Sequence, residues 1–584
     1  MKKHILLCAA LALSSFGLPS CSDILDQKPL DSYTDTAVWG DLSLAESFLN
    51  YCYLRVEAEN TNGVMFCNYT DETYHMHDYG TSTYTQGRAS CDNYNTGWTE
   101  GKGNTWSHYY GGIKLCNQLL EDIMDTPANT DSEKEWKNQI IGQGYFLRAY
   151  YYHMLYSVYG RIPLIDHTYD LDSEFKEERA DMDDVADFIV ADCDKAAELL
   201  PTVYKDASDF GRATKGAALA LKGRVLLYKA SPLFGTPSRE KWQAAADANK
   251  AVIDMNIYSL KQVSNSDEYA DLFFDSKNPE VIFEKLYDEK GIAGSSASLV
   301  MQAPAGPGNG YEGWSTWQPT YEIVELFQNA DGTPYKPAET KPFTILQTTI
   351  DPDSGEATQK EVTIQASDVN PWEGREIRLK ANILYDGMLW GYGDSNREIE
   401  LFEAGAKDSR TGETWWNGTK TGYNMRKFLS SHINFYDDTV VDTTPWFFIR
   451  LAEVYLNYAE CQIELGNNAE ALKYINLIRN RALLPDATGK DIRTEYEYER
   501  TVELMFEGQR FFDLRRWKKM EETYSKEHWP TGLKIYKLQN GTKIYYHNPE
   551  AVQQRNFDAS KNYWWPIPRY ELNKSTLLDA APYE

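Results

Sequence analysis

Glu503 and Glu507 stand four residues apart in a stretch of helical periodicity, which puts their Cβ atoms about 5 to 6 Å from each other on one helix face. Retaining glycosidases hold two carboxyl groups about 5 to 5.5 Å apart, one of them protonated. The neighbours argue against that division of labour. Arg500, Arg510, Arg515 and Arg516, interleaved with Glu499 and Asp513, keep nearby carboxylates ionised, so the expectation is a helix-anchoring salt-bridge network and no hydrolysis. His75 and His77 flank Met76 beside Asp71, Glu72 and Asp78. Alternation puts both imidazoles on one side of an extended segment, yet in a Tyr-rich loop hydrogen bonding is the expected use and no metal site is assigned. Asp351, Asp353 and Glu356 are only a fragment of a calcium loop. No GxxxxGK[ST], GxSxG or HExxH pattern occurs, so phosphate-cradling, nucleophile-elbow and zincin chemistry lack their residues.

What remains is recognition. The chain carries 41 Tyr and 16 Trp, and an aromatic face offers flat, rigid area to the C–H face of a pyranose at low entropic cost. Most of these rings must form core. Two clusters lie outside good helical periodicity. The first is Tyr74, Tyr79, Tyr84, Tyr94 and Trp98, set among Asp71, Asp78, Arg88, Asp92, Asn93 and Asn95, which supply partners for sugar hydroxyls. The second is Tyr311, Trp314 and Trp317 in a Gly-rich loop. From these, Trp98, Tyr74, Tyr94, Arg88, Asp71, Asn95, Tyr311, Trp314 and Trp317 are the candidate ligand-binding residues, with Trp98 and Trp314 foremost. Trp415, Trp416 and Tyr423 form a weaker third cluster.

The elements that must position these loops are mostly helices in pairs separated by short Gly, Asn or Pro turns. In the stretch 449–482, Leu451, Val454, Tyr455, Tyr458 and Ile463 fall at helical spacing before a break at Gly466, Asn467 and Asn468. Ala471, Leu472, Ile475 and Ile478 then line a second helix. Small Ala459 and Ala471 permit close approach, and the unit has the roughly 34-residue length of a tetratricopeptide hairpin. Further helices are predicted over 136–159, 183–200, 214–228 and 242–253. A repeat unit cannot bury its apolar face alone, so these must stack; unrelated helical bundles are the alternative. Over 264–444 the pattern turns to Gly, Pro, Asn and Trp, with strands predicted at 343–349 and 361–365 and a hairpin over 534–546 turning at Asn540 and Gly541. The predicted organisation is a signal over 1–20 and one composite domain over 21–584. Its helical scaffold covers about 40–260 and 445–520, its loop-rich insert about 264–444, and its C-terminal hairpin and tail 521–584.

The N-terminus reads as an export signal. Lys2 and Lys3 precede an apolar run from Ile5 to Leu18 that is too short for a stable membrane span. It ends at Leu18, Pro19, Ser20 and Cys21, similar to a bacterial lipobox, so Cys21 is the expected lipid anchor and the mature protein a tethered soluble one. The formal charge of −28, or −30 after Lys2 and Lys3 leave, excludes the basic footprint that nucleic acid needs and a polybasic membrane contact. Among the remaining cysteines no paired CxxC occurs. Cys67 with Cys91 is a candidate loop bridge, whereas Cys116, Cys193 and Cys461 fall in helical patterns as small buried residues.

Taken in order along the chain, these segments resemble the SusD/RagB lipoproteins of gut and oral Bacteroidetes. The resemblance is carried by Ser22 to Asp26 with Pro29 after Cys21, and by the spacing of Trp106, Tyr109, Ile113 and Asn117. It continues through Phe146 to Ala149, Tyr159 to Pro163, Arg212 to Lys215, and Ala452 to Gly466 with Asn476, Ile478, Arg479, Arg481 and Ala482. The most specific block is Glu499, Arg500, Glu503, Leu504, Phe506, Glu507, Gly508, Arg510, Asp513, Leu514, Arg516 and Trp517; Trp565 to Pro568 with Glu571 and Leu572 closes it. The resemblance implies a mainly α fold, a tetratricopeptide-like helical-hairpin scaffold with a loop-rich ligand-binding region and a few short β-hairpins. It implies an outer-membrane, surface-exposed lipoprotein that passes a glycan to a SusC-like TonB-dependent transporter, with no cofactor besides the lipid on Cys21. Ligand aromatics in the family come from loops in the two regions singled out above, outside its shared motifs. A peptide cargo, as in RagB-like members, and an exported glycoside hydrolase are the alternative readings.

Overall fold

The computed structural model describes residues 38–59, 64–97, 104–170, 172–287, 313–351, 356–391, 396–403, 405–409, 417–430 and 442–583. Its backbone is a continuous stack of helices: α1 (Leu42–Tyr53), α2 (Thr105–Asp122), α3 (Asp131–Tyr159), α4 (Met182–Leu199), α5 (Lys215–Ala230), α6 (Arg239–Asp254), α7 (Leu451–Glu464) and α8 (Asn468–Arg481). Each packs on the next, and α6 packs directly against α7 although nearly 200 residues separate them in sequence. The two helical stretches therefore share one core, as a solenoid of units that cannot bury their faces singly requires. The starts are set by local chemistry. Thr130 and Glu133 form a reciprocal capping box on α3, and Asn104, Thr214 and Ser238 side chains accept from the first turns of α2, α5 and α6.

Close approach between neighbours is purchased with glycine. A Cβ at Gly112 of α2 would meet the Tyr151 ring of α3 at 2.8 Å, and one at Gly223 of α5 would meet Asn249 of α6 at 2.7 Å. Asn249 Nδ2 instead donates to the Gly223 carbonyl at 3.2 Å. Buried ion pairs tie the layers: Arg224 of α5 holds Glu453 of α7 in a two-pronged contact of 2.7 and 2.5 Å, and Arg148 of α3 holds Asp192 of α4 at 2.7 and 2.9 Å. Each planar fork matches a carboxylate, which sets the rotation of one helix on the other.

Two further helices, α9 (Ile492–Glu503) and α10 (Gln509–Arg516), close the stack. The irregular part is organised around short antiparallel pairs: β1 (Thr73–His75) with β3 (Trp317–Pro319), β2 (Val281–Lys285) with β6 (Trp446–Arg450), and β4 (Lys341–Ile350) with β5 (Ala357–Ala366). The last of these covers the two strands predicted at 343–349 and 361–365, with Phe343 opposite Ile364. The C-terminal hairpin, β7 (Gly532–Lys537) with β8 (Lys543–Asn548), turns at Asn540 and a Gly541 of positive φ, as Asn-Gly turns require. Ile345, Ala366, Tyr536 and Ile544 form a small satellite core between the two hairpins.

Cys67 and Cys91 are separate buried thiols, as are Cys52, Cys116, Cys193 and Cys461. The loop bridge considered from sequence is thus absent among the described residues, and burial pushes the Cys67 thiol well up. Among the described residues no helix is long and apolar enough to cross a membrane.

Candidate functional site

The β1–β3 pair brings the two aromatic clusters together. Tyr74 lies opposite Gln318 and His75 opposite Trp317, and Met76 N donates to the Thr316 carbonyl at 2.9 Å. The loop leaving β1, residues 76–80, therefore runs beside the loop entering β3, residues 313–316, although about 240 residues lie between them. At the join, His77 Nε2 sits 3.3 Å from the Trp314 carbonyl oxygen, with the rings edge to face at 6.2 Å. Tyr79 lies 6.2 Å from His77 and 5.4 Å from His75. Trp314 is 42% exposed while His77 and Tyr79 are half-buried, so the patch presents an indole supported from below.

The loop is stiff for identifiable reasons. Asp78 and Tyr79 both adopt positive φ, 67° and 41°, a conformation that a bulky residue holds only when its surroundings over-determine it. The Asp78 carboxylate accepts from Ser82 N and Ser82 Oγ, both at 2.6 Å, and from Thr81 Oγ1 at 3.0 Å. Those bonds hold its carboxyl below the usual range against the cost of partial burial. A third loop lies against this one. Gly97, at φ 89°, is packed so that a Cβ would fall 2.4 Å from the Tyr79 carbonyl, and Asn95 Oδ1 accepts from Gly97 N at 2.9 Å. Trp98 follows Gly97 in the chain; Trp98 and Tyr311 themselves lie outside the described residues, as do Trp415 and Trp416.

Several sequence candidates have structural duties instead. Trp317 is fully buried at 0% exposure, because the register that joins the loops turns its ring into the core. Tyr74 is buried too, its hydroxyl accepting from Lys420 Nζ at 2.8 Å. Asp71 is held by Arg510 through two bonds of 2.6 Å, and this cation keeps its carboxyl low although burial opposes it. Tyr84 is core, donating to the Asn562 carbonyl at 2.9 Å, and Tyr423 is core as well. Tyr94 is half-buried with its ring 6.0 Å from Tyr570. Arg88 is exposed near it, and Asn95 is exposed with its side-chain oxygen committed to Gly97.

Sequence reasoning passed over Lys420. It reaches the site's edge from the far loop, 5.0 Å from the Tyr74 ring, while its backbone N donates to Gln318 Oε1 at 2.8 Å. No local pattern marks a lone lysine between Gly and Thr residues. His77 was legible only as half of a histidine pair. His75 is buried and Glu72 is turned inward, accepting from Phe506 N at 2.8 Å, and no group of three or more potential metal ligands assembles among the described residues.

Glu503 and Glu507 are buried and fully engaged. Arg450 contacts Glu503 and Glu507 at 2.7 Å each; Arg481 pairs with Glu503, and Lys427 with Glu507 at 2.7 Å. These cations hold both carboxyls below their ordinary range despite desolvation. With both ionised, the pair lacks the protonated member an acid–base couple needs.

The architecture is a helical-repeat scaffold that displays a platform of irregular loops. The SusD family model matches residues 279–583, and a second model, described as starch-binding associating with outer membrane, matches residues 23–227; the chain belongs to the SusD family. Among curated relatives, SusD-like protein P2 of Formosa agariphila is 24% identical over 99% of both chains. SusD-like protein P38 of the same organism is 22% identical, covering 89% of this chain and 92% of its own. Among solved structures, a SusD-like protein of Bacteroides fragilis superposes with a TM-score of 0.75 at 25% identity, covering 95% of this chain and 100% of its own. A SusD-like carbohydrate binding protein of B. fragilis gives 0.69 at 23% identity, covering 93% of this chain and 100% of its own, and shares the fold.

Proposed function

We propose that the protein captures a glycan at the cell surface through the loop platform of Trp314, His77 and Tyr79 and passes it, chemically unchanged, to a SusC-like TonB-dependent barrel. The observation that carries this reading is the junction of residues 76–80 with 313–316: a stiff, pre-formed patch whose exposed ring is an indole. Such a face gains contact with a sugar ring without losing side-chain freedom on binding. Trp98 directly follows Gly97 in the chain, and Lys420 adds a hydrogen-bond donor. Family membership supports the reading. One structural neighbour is described as a carbohydrate binding protein, and another, from Bacteroides thetaiotaomicron, as surface glycan-binding protein A. The ion-paired Glu503 and Glu507, both ionised, support a binding role without hydrolysis. Cys21 carries the lipid that tethers the domain to the outer membrane, and the barrel partner follows from the family resemblance.

The test is native affinity electrophoresis of the chain from Ser22 onward across plant, microbial and host polysaccharides. Retardation by one structural class, lost in a Trp98→Ala, Trp314→Ala double variant, is the expected result. Equal mobility in every gel, or retardation indifferent to both substitutions, contradicts the assignment. Co-purification of a TonB-dependent barrel with the lipidated protein from native membranes tests the partner.

A further inference from the structure

A second concavity, sharing no residue with the loop platform, opens where the turn after α4 meets the end of α6 and strand β2. It encloses about 430 Å³, within the range of small-ligand pockets. Among charged and polar residues, its lining carries three uncovered apolar side chains: Val203, Phe210 and Ile257 are 67%, 46% and 41% exposed. Tyr258 and Ile282 continue the wall inward. At the inner end lies Glu284, only 6% exposed, its carboxyl group making no hydrogen bond or ion pair to any described residue and its Oε2 shielded from solvent.

A buried carboxyl without a partner is costly and calls for explanation. The charges around it do not supply one. From the turn, Lys205 pairs with Glu135 at 3.2 Å and Arg212 with Asp209 at 2.9 Å, while Asp206 adds a like charge. From the segment before β2, Asp275 takes Lys261 at 2.8 Å and repels Glu284, and Lys277 is exposed at the mouth. Tyr204 is occupied with the Ala213 carbonyl. On the strand side, β6 places Phe447 opposite Glu284.

We infer that this pocket receives an ammonium group carried on an aliphatic stem, as in a lysine side chain, with Glu284 as its counter-ion and Phe210, Ile257 and Val203 packing the stem. The stem is specified by the apolar part of the wall: Val203, Phe210, Ile257 and Ile282 offer area that favours methylenes over the hydroxyl-rich ring of an amino sugar. The ammonium is specified by the acid at the end. Desolvation pushes the Glu284 carboxyl up to about 8 with Asp275 adding to the effect, so the empty site holds a neutral acid at pH 7. Binding an ammonium, which stays protonated to about pH 10, transfers the Glu284 proton to bulk water and leaves an ion pair. Affinity must then rise with pH towards about 8, close to tenfold per unit at the lower end.

The test is calorimetric titration of the full mature chain with Nα-acetyl-lysine methylamide, its norleucine counterpart and glucosamine. The expected result is lysine-derivative binding at pH 8, at least tenfold weaker for the other two, with nearly one proton released per ligand at pH 7 when buffers of different ionisation heat are compared. Glu284→Gln, which keeps the shape and the neutral state, should lose at least tenfold. Phe210→Ala, at an exposed position that leaves folding intact, should weaken binding severalfold. No binding at millimolar ligand, equal binding of the norleucine or glucosamine probe, no proton release, or indifference to either substitution overturns the inference. None of these outcomes bears on glycan retention by the loop platform, which fails or stands separately.

Discussion

Replacing Trp314 by Ala isolates the contact on which the platform depends. At 42% exposure the indole leaves roughly 100 Å² of a side chain of about 250 Å² open to solvent. A pyranose covering about half of that area gains about 1.3 kcal/mol at ~25 cal/mol per Å², or about tenfold in Kd. Because Trp314 is exposed and its backbone carbonyl, which meets His77, survives the substitution, the fold should keep its stability to within about 0.5 kcal/mol. Trp317, three residues on, is the matched control. It is fully buried on β3, so Trp317→Ala should cost about 3 to 5 kcal/mol of stability. Affinity gels read binding and urea titration reads stability. If Trp314→Ala retains full glycan affinity, or if the two substitutions produce the same profile, the argument from exposure is wrong.

Glu503→Gln strips Arg450, Arg481 and Arg378 of their shared counter-ion, leaving buried positive charge under-compensated; urea titration should show a loss on the order of 3 to 5 kcal/mol, with glycan affinity unchanged in the fraction that remains folded. Burial pushes the Glu59 carboxyl up to about 8, with Glu72 and Glu507 nearby adding to it. Folded Glu59 is then protonated where the unfolded chain is ionised, so its contribution is present below the unfolded value near 4.5 and is lost as pH rises towards about 8. Glu59→Gln should flatten the fall in stability across that window by up to about 4 kcal/mol; an unchanged slope contradicts the assignment. The paired carboxyls act in the opposite sense, since Glu503 and Glu460 are held low by arginines, so acidification below about pH 4.5 should destabilise the protein, and less so in Glu503→Gln than in the parent.

The helical hairpins were legible because their signal is local: apolar residues at 3.6-residue spacing, a Gly-Asn-Asn break, and capping residues at the right offsets. The α7–α8 pair and both β-hairpins fall where those patterns put them. Two features were not legible. The packing of α6 on α7 follows from the need to cover an apolar face, but nothing in either helix names the other as its cover. Trp314 and Trp317 look alike in sequence, two indoles in a Gly-rich loop. Only the register of a three-residue strand decides that one ring faces solvent and the other the core. Asp71 reads as a sugar partner because it lies among tyrosines, whereas its carboxylate is used 439 residues away by Arg510, inside the family's most specific block. Glu284 gave no signal at all, since a carboxylate in a strand reads as a solvated edge until its burial is seen.

The central claim is capture without chemistry, and one mixture tests it. The mature protein is incubated with the polysaccharide that retards it, and the same samples are followed for retention in the gel and for new reducing ends. The account predicts retention with chain length unchanged over hours at micromolar protein; release of reducing ends that survives repurification would contradict it and make this chain an enzyme.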